Sequence, residues 1–219
     1  DLARLDIIVV ENTPNAARLL AEQCPPGKNL REVYYWQGIA ECVIPEVAPD
    51  VQLLDPALVN GDPQGYLLLP IELAKILGSS SEEIRYTSNF DLAWAMKWFC
   101  HCAFHAVLAY VGLARGMKYI DEVAESQELY PEIDSLCTKI AAGLSDKYAV
   151  SFSVVRYRLH HEEWYKMKTP GIRDTCARVA RDPARKVMPG ERLRELEMLI
   201  GEHSLLAEAI QQAERMARK

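Results

Sequence analysis

Residues 97–112, Lys-Trp-Phe-Cys-His-Cys-Ala-Phe-His-Ala-Val-Leu-Ala-Tyr-Val-Gly, place a lysine, two histidines and two cysteines on an otherwise apolar segment. A helix that is hydrophobic nearly all round belongs in a core, so this segment anchors the domain that contains it. At about 100° per residue, Lys97, His101 and His105 fall within ~80° of one another, with Cys102 ~60° beyond His105. Polar groups buried without partners cost ~1–3 kcal/mol each. Either the histidines bond nearby carbonyls and the cysteines act as small hydrophobes, or this row is a chemical site.

The pattern around that helix changes along the chain. Leu5-Asp6-Ile7-Ile8-Val9-Val10 is a short β-branched run, as expected of a strand covered on both faces. After Glu11-Asn12-Thr13-Pro14, residues 15–23 read as a helix with Ala16, Leu19 and Leu20 on one side. Val33-Tyr34-Tyr35-Trp36 and Ala40-Glu41-Cys42-Val43-Ile44 are strand candidates, residues 45–65 read as loop, and residues 66–71 as one more strand. From about Asn89 helical patterns take over. The central helix, 91–114, is expected to stop near Gly112 or Gly116. Pro131 suits the first turn of the next helix, with Ile133, Leu136, Ile140 and Leu144 at helical spacing. Further helices are expected over 153–165, over 171–181 up to Asp182-Pro183, and over 191–217 with a break near Gly201. The fold class is therefore α/β followed by all-α, with domains at 1–88 and 89–219.

Composition narrows the function classes. The 219 residues are 49% hydrophobic and 26% charged, ordinary for a globular protein. A formal charge of -6 with no repeating basic face argues against a nucleic-acid partner. No apolar run reaches the ~18–20 residues of a membrane span. Six cysteines without framework spacing, and no signal peptide, point to a reducing, cytoplasmic compartment. The chain begins at Asp1 rather than at a methionine, and the expectation is that sequence upstream has been removed or omitted.

Several separated segments, in order and spacing, resemble the long-chain polyol dehydrogenases over roughly residues 5 to 200. Residues 5–12 resemble a late nucleotide-domain strand ending in a Glu-Asn pair. Lys97 through Gly112 resembles the signature helix, in which a lysine is followed by an asparagine five residues on and a histidine three further. Gly116-Met117-Lys118-Tyr119-Ile120 fits the sequence after that helix. Arg178-Val179-Ala180-Arg181-Asp182-Pro183-Ala184-Arg185-Lys186-Val187 and Glu191-Arg192-Leu193 resemble the family's Arg-Asp-Pro-x-Arg-Lys-Leu stretch and its Asp-Arg-Leu.

The resemblance implies the end of a Rossmann-type domain joined to a helical domain like the C-terminal domain of 6-phosphogluconate dehydrogenase. It implies NAD or NADP, bound mainly upstream of residue 1, since no Gly-x-Gly-x-x-Gly follows a strand here. It further implies a small-molecule substrate, a polyol or sugar phosphate, and a monomer or dimer. Oxidising a secondary alcohol takes a base for the hydroxyl proton and donors for the developing alkoxide. By family position Lys97 is the base if burial and a neighbouring cation lower its pKa. His105 holds the substrate oxygen or orients the lysine, and Asn12 donates to the same oxygen.

The departures also matter. Cys102 stands at the helix asparagine, and a thiol is a poor substitute for an amide donor. Ala40-Glu41-Cys42 replaces Val-Asp-Arg, and Lys166-Met167-Lys168-Thr169-Pro170 replaces Arg-x-x-Asn-Pro. Cys102, His101, Glu41, Lys166, Arg185 and Lys186 are the candidate substrate contacts, Arg185 and Lys186 being preferred among nearby cations because they sit in a matched motif. Two alternatives stand beside the oxidoreductase: a noncatalytic relative kept as a binding or assembly domain, and a metal-binding module at Cys100, His101, Cys102 and His105. One helix cannot close a tetrahedron from those four, so His160-His161 would have to join them.

Overall fold

The computed structural model describes residues 4–11, 13, 15–24, 32–41, 65–168 and 174–218. The described chain divides into two compact units, the first ending at Trp94 and the second beginning at Ala95.

The first unit is α/β. Strand β1, Arg4–Val9, pairs in parallel with β2, Glu32–Gln37, in the register Leu5 to Val33 through Val9 to Gln37. Helix α1, Ala16–Gln23, lies between them in the chain. Trp36 Nε1 donates to Asp6 Oδ1 at 2.8 Å, and Gln37 Oε1 takes the Ala17 N–H at 3.0 Å. The latter satisfies one of the donors that a helix start leaves open. The β-branched run does form a strand, but Leu5 to Val9 are only half-buried, so the expected cover on both faces is not complete among the described residues. In α1 the buried residue is Ala17, while Leu19 is 39% exposed, which corrects the expected Ala16–Leu19–Leu20 face. The Gln37 bond holds the first turn of α1 against β2 where the small alanine fits.

Gly38 carries the chain directly from β2 into β3, Ile39–Glu41. Its N–H donates to Val9 O at 2.9 Å, and a Cβ there would lie 3.2 Å from the side chains of Ile8, Val10 and Leu69. β3 runs antiparallel to β4, Tyr66–Pro70, which is parallel to β5, Ile84–Thr87. A 3-10 turn, Ile71–Leu73, and helix α2, Ala74–Leu77, join the last two strands. β5 was not expected from its four residues. Cys42 to Ile44, and residues 45–64 of the expected loop, lie outside the described residues.

The second unit is all-α, and its central helix is not uniform. It starts as α3, Phe90–Met96, with Asn89 Oδ1 accepting the Leu92 N–H at 3.1 Å. It continues as a π-helical segment, Lys97–Ala103, and ends as α4, Phe104–Ala114. Bonding five rather than four residues ahead widens the turn, so each residue rotates through less than the 100° assumed from sequence. Gly116, with φ of 73°, follows the expected stop. Gly112 lets two neighbours approach: a Cβ there would meet Cys176 Sγ at 2.6 Å and Val123 Cγ2 at 2.7 Å. Val123 belongs to α5, Ile120–Ala124.

Helix α6, Tyr130–Tyr148, opens with Pro131 and buries Ile133, Leu136, Ile140 and Leu144 as expected. Helix α7, Phe152–Tyr157, passes into a second π segment, Arg158–Glu163, and then α8, Trp164–Lys168. The helix expected up to Arg181 is shorter within the described residues, α9 at Cys176–Val179, with Thr175 Oγ1 accepting the Arg178 N–H at 3.2 Å. Pro183 does more than end it. Asp182, at φ 57°, turns the chain and Pro183 opens α10, Pro183–Lys186. The chain closes with α11, Arg192–Ile200, and α12, Ser204–Ala217, separated at Gly201. Helices α9 and α12 pack on α4. No helix among the described residues is long and apolar enough to cross a membrane.

Candidate functional site

The two π segments pack against each other, and their side chains make the polar centre of the helical unit. His101 Nδ1 lies 2.7 Å from Glu163 Oε2, joining the segments directly. Arg158 holds the other carboxylate oxygen at 3.3 Å. The Glu163 side chain is 2% exposed. Burial alone pushes its carboxyl up, yet the charge and hydrogen bond of His101, with Arg158 and Lys166, hold it well below the usual range.

His105 sits beside His101, with ring centroids 5.6 Å apart and the planes edge-on at 62°. Its Nε2 is 3.8 Å from Asp174 Oδ2, beyond hydrogen-bond distance. Burial, then the positive charges of His101, Arg178 and Lys97, push the His105 imidazole well below 6.5, while Glu163 opposes them. His105 is thus biased toward the neutral imidazole. Lys97 is buried on the π segment that carries His101, 3% exposed.

Asp174 is placed by backbone as well as by charge. Its carbonyl accepts the Ile120 N–H at 3.0 Å, Tyr119 bridges Thr175, and Cys176 N–H reaches Lys118 O at 2.9 Å. The segment Gly116 to Ile120 therefore fixes the approach to α9. Arg178 then clasps both carboxylate oxygens of Asp174, a bidentate pair four residues apart.

Of the sequence candidates, Lys97, His101 and His105 share this polar centre. Lys166 is half-buried, and its charge acts on Glu163. Cys102 is buried on the π segment, 6% exposed. Arg185 and Lys186 are elsewhere. The Arg185 side chain is 42% exposed and pairs with Glu191 at 3.2 Å. Lys186 is buried with its ammonium on the carbonyls of Val179 and Arg181, and burial beside Arg192 and Arg185 lowers it to about 8. These bonds close the turn between α9 and α10. Glu41 belongs to the first unit, buried at the end of β3 opposite Tyr66. Asn12 and Cys42 lie outside the described residues.

The metal-module alternative finds no support: no three histidine, cysteine, aspartate or glutamate side chains among the described residues converge as ligands. Cys100 is fully buried, His101 is committed to Glu163, and His160 Nε2 lies 3.3 Å from Asp134. Sequence reasoning missed Glu163, Asp174, Arg158 and Arg178. One signal was present: Val155, Leu159, Glu163 and Met167 recur at four-residue spacing, all buried, so an acid occupies an apolar row.

A nicotinamide dinucleotide needs a glycine turn or helix start open to its pyrophosphate. The start of α1 offers neither, since the Ala17 N–H is taken by Gln37 and the Leu19 N–H by the Asn15 carbonyl.

No family model matches the chain. It is 24% identical over 193 residues to mannitol-1-phosphate 5-dehydrogenase of Clostridium acetobutylicum, covering 86% of this chain and 50% of that protein. With the enzyme of the same name from Enterococcus faecalis it is 26% identical over 201 residues, 88% of this chain and 51% of the relative. The chain thus spans about half the length of the curated relatives it matches, and the match is to their C-terminal part. In fold it is similar to Pseudomonas fluorescens mannitol 2-dehydrogenase, solved as a ternary complex with NAD and D-mannitol. There the TM-score is 0.69 at 16% identity, over 95% of this chain and 46% of that one. A D-sorbitol dehydrogenase in substrate-free form gives a TM-score of 0.57 at 15% identity, over 94% and 42%. The resemblance to polyol dehydrogenases, and the α/β-then-α fold class, are borne out.

Proposed function

We propose that this chain supplies the proton-handling half of an oxidoreductase that interconverts a secondary alcohol of a polyol or sugar phosphate with the ketone. The observation that carries this is the row of buried Lys97 and half-buried His101 and His105 on one π-widened helix, in the register of the polyol-dehydrogenase motif. Lys97 takes the hydroxyl proton. His105, biased toward the neutral ring by burial and by the charges of His101 and Arg178, accepts a hydrogen bond and orients the substrate or the lysine. Lys166 contributes positive charge, and Asn12 is the further donor. The hydride acceptor is a nicotinamide cofactor, NAD or NADP, bound mainly by sequence upstream of residue 1.

The test is turnover of D-mannitol 1-phosphate and D-mannitol with NAD and with NADP. Lys97→Ala should lower kcat about 10²–10⁴-fold with an unchanged far-UV circular dichroism spectrum. Turnover equal to that of the wild type removes Lys97 as the base. A second reading, a noncatalytic relative, is favoured by the buried thiol of Cys102, a weak donor where the relatives' motif has an amide. A nicotinamide-nucleotide titration separates the two, since only the oxidoreductase requires binding.

A further inference from the structure

Glu163 is the odd residue of the helical interior. It stands in a row with Val155, Leu159 and Met167, all buried, where a leucine would pack without any charge to compensate. Both of its oxygens are committed, one to His101 Nδ1 at 2.7 Å and the other to Arg158 at 3.3 Å. An imidazole whose Nδ1–H is held by a carboxylate has its plane and tautomer fixed and presents Nε2 on its opposite edge. The adjacent negative charge also favours the protonated ring, which makes that nitrogen a donor. The His101 side chain is 15% exposed, more than the 12% of His105. Its neighbour Cys102 offers only a thiol, while an alkoxide forming beside Lys97 calls for a strong, preorganised donor.

Resting on the hydride-transfer reading above, we propose that Glu163 is a positioning residue that holds His101 as a fixed donor to the oxygen that Lys97 deprotonates. Arg158 anchors the carboxylate from the same π segment. The facing π segments then hold carboxylate and imidazole in one arrangement.

The experiment is a ¹⁵N-histidine NMR titration together with steady-state kinetics on the wild type, Glu163→Gln and Glu163→Asp, with D-mannitol 1-phosphate as the probe. The wild-type His101 ring should carry its proton on Nδ1 and stay charged to a higher pH than in Glu163→Gln. Glu163→Gln should lower kcat about tenfold to a hundredfold with KM nearly unchanged, and Glu163→Asp should recover part of the loss. An unmoved His101 titration in Glu163→Gln overturns the assignment, as does a moved titration with unchanged kcat. If the wild type neither turns over nor binds the polyol phosphate, the hydride-transfer reading falls and the donor role with it. The titration still decides whether Glu163 sets the charge of His101. Should Glu163→Gln fail to fold, His101→Asn takes its place. Retained turnover relative to His101→Ala supports a donor there, and an equal loss in both refutes it.

Discussion

His101 and His105 have centroids 5.6 Å apart, yet their surroundings treat them oppositely. His101 faces a buried carboxylate, whereas His105 faces burial and three positive charges. The pH dependence of stability follows with a defined sign. Because folding lowers the His105 value below 6.5, the unfolded chain takes up a proton there that the folded chain refuses, so stability falls as pH drops below about 6.5. Glu163, lowered from 4.5, adds stability that is present above 4.5 and lost beneath it. Thermal unfolding from pH 8 to 3 should therefore show loss in two stages, and His105→Gln should shrink the upper stage to the part left by His203, which burial and Lys139 also lower from 6.5. A variant that still loses stability between pH 6.5 and 5 like the wild type would assign that stage to another group. The lysine and both histidines were legible in the sequence because one helix carries them. Their carboxylates were not, since Glu163 lies 62 residues from His101 in the chain and only folding brings them together.

At the scale of elements, local chemistry marked the helix boundaries well. Pro131 opens α6 and Gly201 separates α11 from α12 as their backbone preferences require. The π segments were not legible, because no residue type specifies bonding five residues ahead, and packing against a neighbour decides it. β5 was missed for a similar reason: four residues, Ile84–Thr87, carry too little alternation to show without β4 beside them. The packing of α4 on α5 and α9 depends on Gly112. Gly112→Ala should destabilise the protein by about 1–3 kcal/mol, because Cys176 Sγ and Val123 Cγ2 occupy the space of the new methyl. Adding Cys176→Ala should restore part of that loss, a coupling read from chemical denaturation of both single variants and the double. Strictly additive losses would place the strain elsewhere.

Over the whole chain, the sequence expected a division near residue 88, and contacts divide the described chain at Trp94. Helix α3 runs across that point from its cap at Asn89. Among the described residues, the buried apolar side chains of the first unit are Ala17, Ile39, Leu69 and Leu73, while the second unit contributes all the others. A fragment starting at Ser88 should accordingly keep its helical circular dichroism and unfold cooperatively on heating. A broad, non-cooperative melt would show that the helical part needs residues before it. This uneven distribution also sets an order of failure. Stability follows buried apolar contact, so graded heating or brief protease treatment should consume the strands first and leave a resistant helical remnant that still contains Lys97, His101 and Glu163. Damage to the leading part would then persist as a folded but incomplete species, retaining these three side chains after the strands had gone.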